Sequence, residues 1–180
     1  MALKATIYKA DLNISDMDRG YYASHNLTIA RHPSETDERM MLRVLAFACH
    51  ASETLAFGRG ISDEDDAALW QKKSLIDEVE LWIDLGLPDD KRIRKLSQRS
   101  QQAWIYAYGS GKTAEMWFEA NRATIQRFDN LHVVHVSGDT MAGLAAMAER
   151  TMQLQCTIQD AEVWLSDDKT NLHISWNVLK

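Results

Sequence analysis

From Val79 onward apolar and polar residues alternate, with Val79, Leu81, Ile83 and Leu85 on one face and Glu80, Trp82, Asp84 and Gly86 on the other. That is the period of a strand. Gly86 ends it, Pro88 suits a first helical position, and Asp89 and Asp90 complement the positive end of a helix dipole. A basic helix over 89–101 is predicted, carrying Lys91, Arg92, Arg94, Lys95 and Arg99. Earlier in the chain, 3–14 and 20–31 read as strands of an antiparallel hairpin joined around Asp16-Met-Asp-Arg-Gly20. Ser34 and Asp37 have the spacing of a capping box for a helix running to about Thr54, with Met41, Leu42, Val44, Leu45 and Ala48 as its buried stripe. Short strands near 55–58 and 68–72 follow, separated by a turn at Gly58-Arg-Gly60 and an acidic loop at Ser62–Asp66.

Beyond the basic helix the pattern predicts a strand at 103–108, a helix at 113–126 presenting Met116, Trp117, Ala120 and Ile125, and a strand at 131–137. A small-residue helix over 139–150 is expected to lie close against a sheet. The last hairpin is read as 152–165 and 171–179, turning at Ser166–Thr170, with Leu172, Ile174, Trp176 and Val178 on one face. No repeat, low-complexity tract or linker-like composition interrupts the chain. The expectation is a single α+β domain over 1–180, a mixed central sheet flanked by helices with antiparallel strands added from both termini.

Composition changes this picture little. At 180 residues and 46% hydrophobic, with only 2 prolines, the chain can bury a core and is not disordered. A net charge of −6 argues against a generalist nucleic-acid coat while leaving room for a local basic groove. Cys49 and Cys156 lie in apolar surroundings without CxxC spacing, as buried reduced thiols do. No stretch approaches the roughly 20 apolar residues of a membrane span, and a cytoplasmic location is expected.

Candidate chemistry centres on Asp84 at the end of its strand and Lys95 on the next helix. A magnesium ion held by carboxylates would stabilise charge on a phosphate there, with lysine adding to it; on spacing alone, a strand-end cap beside a solvated lysine is the favoured reading. Gly109-Ser-Gly-Lys112-Thr113 has the setting of a phosphate-binding loop, but Tyr106 stands where that motif needs its first glycine, so a helix-capping turn is the better reading. The six tryptophans read as core or cleft-wall aromatics, with Trp82 as a candidate cleft residue. His32 and His50 read as turn and helix-surface histidines, and His132 and His135 have opposite strand parity, which rules out joint chelation from one face. Arg39 and Arg43 are set to meet Glu35 and Glu38 or a phosphate.

Met1-Ala-Leu-Lys-Ala-Thr-Ile-Tyr-Lys-Ala, Ala30-Arg-His-Pro-Ser-Glu-Thr, Glu38-Arg-Met-Met-Leu-Arg43, Leu81-Trp-Ile-Asp-Leu-Gly-Leu-Pro-Asp89, Thr151-Met-Gln-Leu-Gln and Trp164-Leu-Ser-Asp-Asp-Lys169 together resemble the YaeQ family of bacterial proteins over essentially the full chain. The resemblance implies a fold related to the PD-(D/E)XK nucleases, whose core of helix, three strands, helix and strand would occupy about 35–108. The Pro-Asp motif of those enzymes falls on Ala67-Ala68, with Asp65 and Asp66 as neighbouring substitutes, and acidic-x-Lys falls on Asp84-Leu85-Gly86, so the strand lysine is missing. Carried over by position, the resemblance implies Asp84 as chief magnesium ligand, with Glu53 and Asp66 as helpers and Lys95, or Lys91, supplying the amine. The implied activity is metal-dependent phosphodiester hydrolysis of nucleic acid. The alternative is a degenerate nuclease-fold module that binds or regulates without cutting.

Overall fold

The computed structural model describes residues 4–59, 66–73 and 75–180. The expected strand start at residue 3, Gly60 and the 62–65 part of the acidic loop lie outside the described residues. By internal packing the chain divides into two compact units, residues 1–51 with 139–175, and residues 52–138 with 176–180.

The first unit is built on the predicted hairpin. Strands β1 (Thr6–Asp16) and β2 (Tyr21–Arg31) pair antiparallel from Thr6↔Arg31 to Asp16↔Tyr21, and Gly20 takes the positive φ (66°) that the tight turn requires. Helix α1 (Asp37–His50) buries the whole predicted stripe together with Met40, Ala46 and Phe47. Its cap differs from the expectation. Thr36, not Ser34, accepts the Arg39 N–H at 3.2 Å, while the Ser34 hydroxyl is engaged by His32 Nδ1 at 2.6 Å. Arg39 and Arg43 both close on the buried Glu35, at 2.7 Å each, so neither points a free guanidinium at solvent phosphate. After α4 (Gly138–Ala146), shorter than predicted, come β8 (Thr151–Gln159), β9 (Glu162–Ser166) and β10 (Asn171–His173), giving a sheet of order β10-β9-β8-β1-β2. A side chain at Gly143 would stand 2.6 Å from Leu172 Cδ1, so the small-residue helix does lie close against the sheet.

The final hairpin is also redrawn. Residues 152–165 form a hairpin by themselves, turning at Asp160 and Ala161, whose φ of 54° and 62° are both left-handed. Such a turn ordinarily announces itself with glycine; here the Asp18 carboxylate instead accepts both turn N–H groups at 2.8 Å. The run 171–179 then splits, for residues 171–173 pair with β9 whereas β11 (Trp176–Val178) pairs with β7 (Leu131–Val136) in the second sheet.

The second unit holds a sheet of order β11-β7-β6-β5-β4-β3, with β3 (Ala56–Phe57), β4 (Leu69–Lys72), β5 (Val79–Leu85) and β6 (Ser100–Ala107). β4 runs antiparallel to both its neighbours, β3 and β5, whereas β5, β6 and β7 run parallel. Helix α2 (Asp90–Arg99) makes the crossover from β5 to β6, and α3 (Thr113–Gln126) the one from β6 to β7. Their inner faces join Trp82, Ala103, Ile105, Ala107, Leu131 and Val133 in one apolar cluster through Ile93, Leu96, Trp117, Phe118 and Ile125. On α3, Met116 and Ala120 are exposed and Ala114, Phe118 and Thr124 take the inward positions instead. Strand β5 is less amphipathic than its alternation suggests: Trp82, Ile83 and Asp84 are buried in succession, as expected of a strand inside a sheet with both faces covered. Trp82 is only 1% exposed and therefore a core residue, not a cleft wall. Among the described residues no helix is long and apolar enough to cross a membrane.

Candidate functional site

Strand parity sends Trp82 and Asp84 to the same face of β5, and the chain then turns at Gly86 (φ 94°) into α2. Asp89 caps that helix, accepting the Arg92 N–H at 2.8 Å. The cap fixes Arg92 in the first turn, with its side chain reaching back over the end of β5. Its guanidinium grips Asp84 with two N–H groups, Nε to Oδ2 at 2.6 Å and Nη2 to Oδ1 at 3.1 Å. Trp82 Nε1 donates to Oδ1 at 3.0 Å, and the Ala68 N–H approaches the same oxygen at 3.4 Å. The guanidinium carbon also sits 5.1 Å from the centre of the Trp82 ring, and Trp70 packs edge-on against that ring at 5.8 Å.

Asp66 is buried beside this pair, but its carboxylate is committed elsewhere. Its carboxylate accepts the Arg59 N–H at 2.6 Å, and its carbonyl accepts from Arg92 Nη2 at 2.5 Å. Glu53 is exposed in the segment after α1. Among the described residues no three His, Cys, Asp or Glu side chains converge as a metal-holding group. The structure thus brings the Asp84 carboxylate and the Asp66 backbone carbonyl, not two carboxylates, to a common cation, Arg92. A divalent ion needs carboxylate lone pairs aimed at it, and on Asp84 a forked guanidinium and an indole already use them. The donor set in this arrangement does not fit magnesium.

Lys95 lies one helical turn beyond Lys91. Together with Pro88, Asp89 and Arg92 the two lysines line a cavity of about 340 Å³ on the first two turns of α2. Pro88 is held there because its carbonyl accepts from Trp117 Nε1 at 2.6 Å. Asp90, on the same turn, has its carboxyl held below the usual carboxylate range by hydrogen bonds from Arg94 and Thr124. The glycine-rich turn ahead of α3 serves as a helix start: Gly111 takes a positive φ (58°), and the Thr113 hydroxyl donates to the Ser110 carbonyl at 2.7 Å.

Arg92 was legible only as one of several basic residues. A signal for its role does exist, since it stands three residues after a capping aspartate that follows a strand-end acid by five. The aromatic pairing was hidden altogether. Trp104 stacks on His132 at 4.5 Å and lies 6.2 Å from Tyr106, which meets Trp176 at 5.9 Å. Burial, with Lys180 nearby, holds the His132 imidazole below its ordinary pKa.

The profile of a family described as YaeQ protein matches residues 1–176. A protein of Escherichia coli (strain K12) described as "Uncharacterized protein YaeQ" is 45% identical over 175 residues, spanning 97% of this chain and 96% of its own length. Its counterpart in Salmonella typhi is 46% identical over 174 residues, spanning 97% and 95%. The crystal structure of the YaeQ protein from Xanthomonas axonopodis pv. citri matches with a TM-score of 0.93 at 43% identity over 98% of both chains. That of the YaeQ protein from Pseudomonas syringae matches at 0.91 and 40% over 98% of this chain and 96% of its own.

Proposed function

Since this chain belongs to the YaeQ family, we propose that it is a nuclease-fold module that holds nucleic-acid phosphates on the first turns of α2 without hydrolysing them. The observation that carries this reading is the Asp84–Arg92 pair, in which a fixed guanidinium stands where a catalytic cation would be needed. The PD-(D/E)XK relationship is supported by element order: three antiparallel strands, a crossover helix and a parallel fourth strand, with the helix expected ahead of them present as α1. Phosphate holding is supported by Lys91 and Lys95 around the α2 cavity, where two ammonium groups offer positive charge. Arg92 keeps its place in the Asp84 pair and anchors that surface.

The hydrolytic reading keeps Asp84, Glu53 and Asp66 as magnesium ligands and Lys95 as charge stabiliser, and it requires Arg92 to leave Asp84. One experiment separates the two. Magnesium and manganese are titrated calorimetrically into the wild type and Asp84→Ala, and labelled single- and double-stranded DNA and RNA are followed by anisotropy and by gel in the same buffers. The binding-module reading expects no metal heat dependent on Asp84, intact oligonucleotides, and an affinity that drops in the Lys91→Ala/Lys95→Ala double variant. Metal binding abolished by Asp84→Ala together with cleavage would replace it with the hydrolytic one.

A further inference from the structure

Strand β2 is the outer strand of its sheet. The other sheet edges, β3, β10 and β11, are two or three residues long, whereas β2 has eleven. Its register against β1 runs without a bulge from Tyr21 to Arg31. From Tyr21 to Ala30 it contains no Lys, Arg, Asp, Glu or Pro. Shortness, bulges, charge and proline are the devices that keep sheet edges from pairing, and from Tyr21 to Ala30 β2 has none of them.

The hydrogen-bonding row on this edge can be read from its neighbours. Lys9 N–H donates to Arg150 O and Met17 N–H to Ile158 O, so odd residues of β1 turn toward β8 and even ones toward β2. Even residues of β1 stand opposite odd residues of β2, such as Ala10 opposite Leu27 and Leu12 opposite His25. The even residues of β2 therefore turn their backbone groups outward. Ala30 agrees, since its carbonyl accepts from Arg43 Nη2 at 3.0 Å instead of joining the β1 ladder. Arg43 closes the row at that end and leaves Tyr22, Ser24, Asn26 and Thr28, all with exposed side chains.

We propose that β2 pairs antiparallel with β2 of a second copy of this chain about a two-fold axis at His25, joining the two five-stranded sheets edge to edge. About that axis Tyr22 stands opposite Thr28 and Ser24 opposite Asn26. Each is a favourable cross-strand pair, aromatic with β-branched and hydroxyl with amide. No charge meets a like charge along the row, so the net charge of −6 on each copy does not oppose the contact at this edge. The four outward residues exchange about eight backbone hydrogen bonds between the copies. An isologous contact of this kind closes on itself and stops at two chains.

Sedimentation equilibrium over a concentration series tests this, with amide exchange read in parallel. The wild type is expected to approach twice the 20.5 kDa chain mass, with the amides of Tyr22, Ser24, Asn26 and Thr28 gaining protection as the dimer fills. Asn26→Lys and, separately, Ser24→Pro are expected to remain single chains with native far-UV circular dichroism, because both act on outward groups that leave the β1 ladder intact. A wild type of single-chain mass at every concentration overturns the proposal, as does a wild-type dimer in which these four amides gain no protection.

Discussion

A carboxylate at the end of a strand is chemically ambiguous until its neighbours are known, and among the described residues Asp84 meets four N–H donors: two from Arg92, one from Trp82 and one from Ala68. Removing the guanidinium would leave a buried charge with weaker partners. Arg92→Ala is therefore expected to cost about 3 kcal/mol in urea unfolding, against about 0.5 kcal/mol or less for the exposed Lys91→Ala. At Cys156 burial, with Asp16 nearby, pushes the thiol from its ordinary 9.0 up to about 12. The folded state then holds its proton more tightly than the unfolded chain. The stability linked to this group is complete below pH 9.0 and is lost as pH rises toward 12. A thiol reagent near pH 8 should accordingly leave Cys156 untouched until denaturant is added, and Cys156→Ser should not change the native reaction with the half-buried Cys49. The presence of both residues was legible in sequence, but the pairing of Asp84 was not, because Arg92 and Ala68 come from other segments.

Caps and turns decide where the elements begin and end. Sequence spacing pointed to Ser34 as the α1 cap, yet the hydroxyl that accepts a first-turn N–H, that of Arg39, belongs to Thr36. Thr36→Ala should lower stability by about 1 kcal/mol in thermal or urea unfolding, whereas Ser34→Ala should change it by about 0.5 kcal/mol or less. The Asp160-Ala161 turn was missed because alanine does not advertise a left-handed backbone. Its φ of 62° depends on the Asp18 carboxylate, which is remote in sequence. Ala161→Gly is expected to raise stability by about 1 kcal/mol by relieving that conformation. Within α3 the helix limits were legible to the residue but its inward face only in part, since Trp117 and Ile125 are buried as expected whereas the apolar Met116 and Ala120 gave way to Phe118 and Thr124.

At the scale of the whole molecule, an acidic chain of net charge −6 can hold a polyanion only through a local cluster. Oligonucleotide affinity, the observable of the binding-module reading, should therefore fall steeply with salt. Each of Lys91→Ala and Lys95→Ala should reduce the magnitude of the log–log salt slope by roughly 1, and unchanged slopes would place the phosphates elsewhere. The order of strands and helices as far as α4, the opening hairpin, the span of β5 and the helices on either side of β6 were all determined by the sequence itself. Periodicity, glycine breaks and capping residues act over a few neighbouring positions, and those positions are written next to one another. The tertiary structure alone decided that Arg92 occupies Asp84, that both arginines of α1 go to Glu35 and not to Glu38 or a phosphate, and that 171–173 and 176–178 join different sheets. Each of these is a choice among competing partners, some a few turns away and some in distant strands, and which partner wins depends on burial and geometry that no local pattern records.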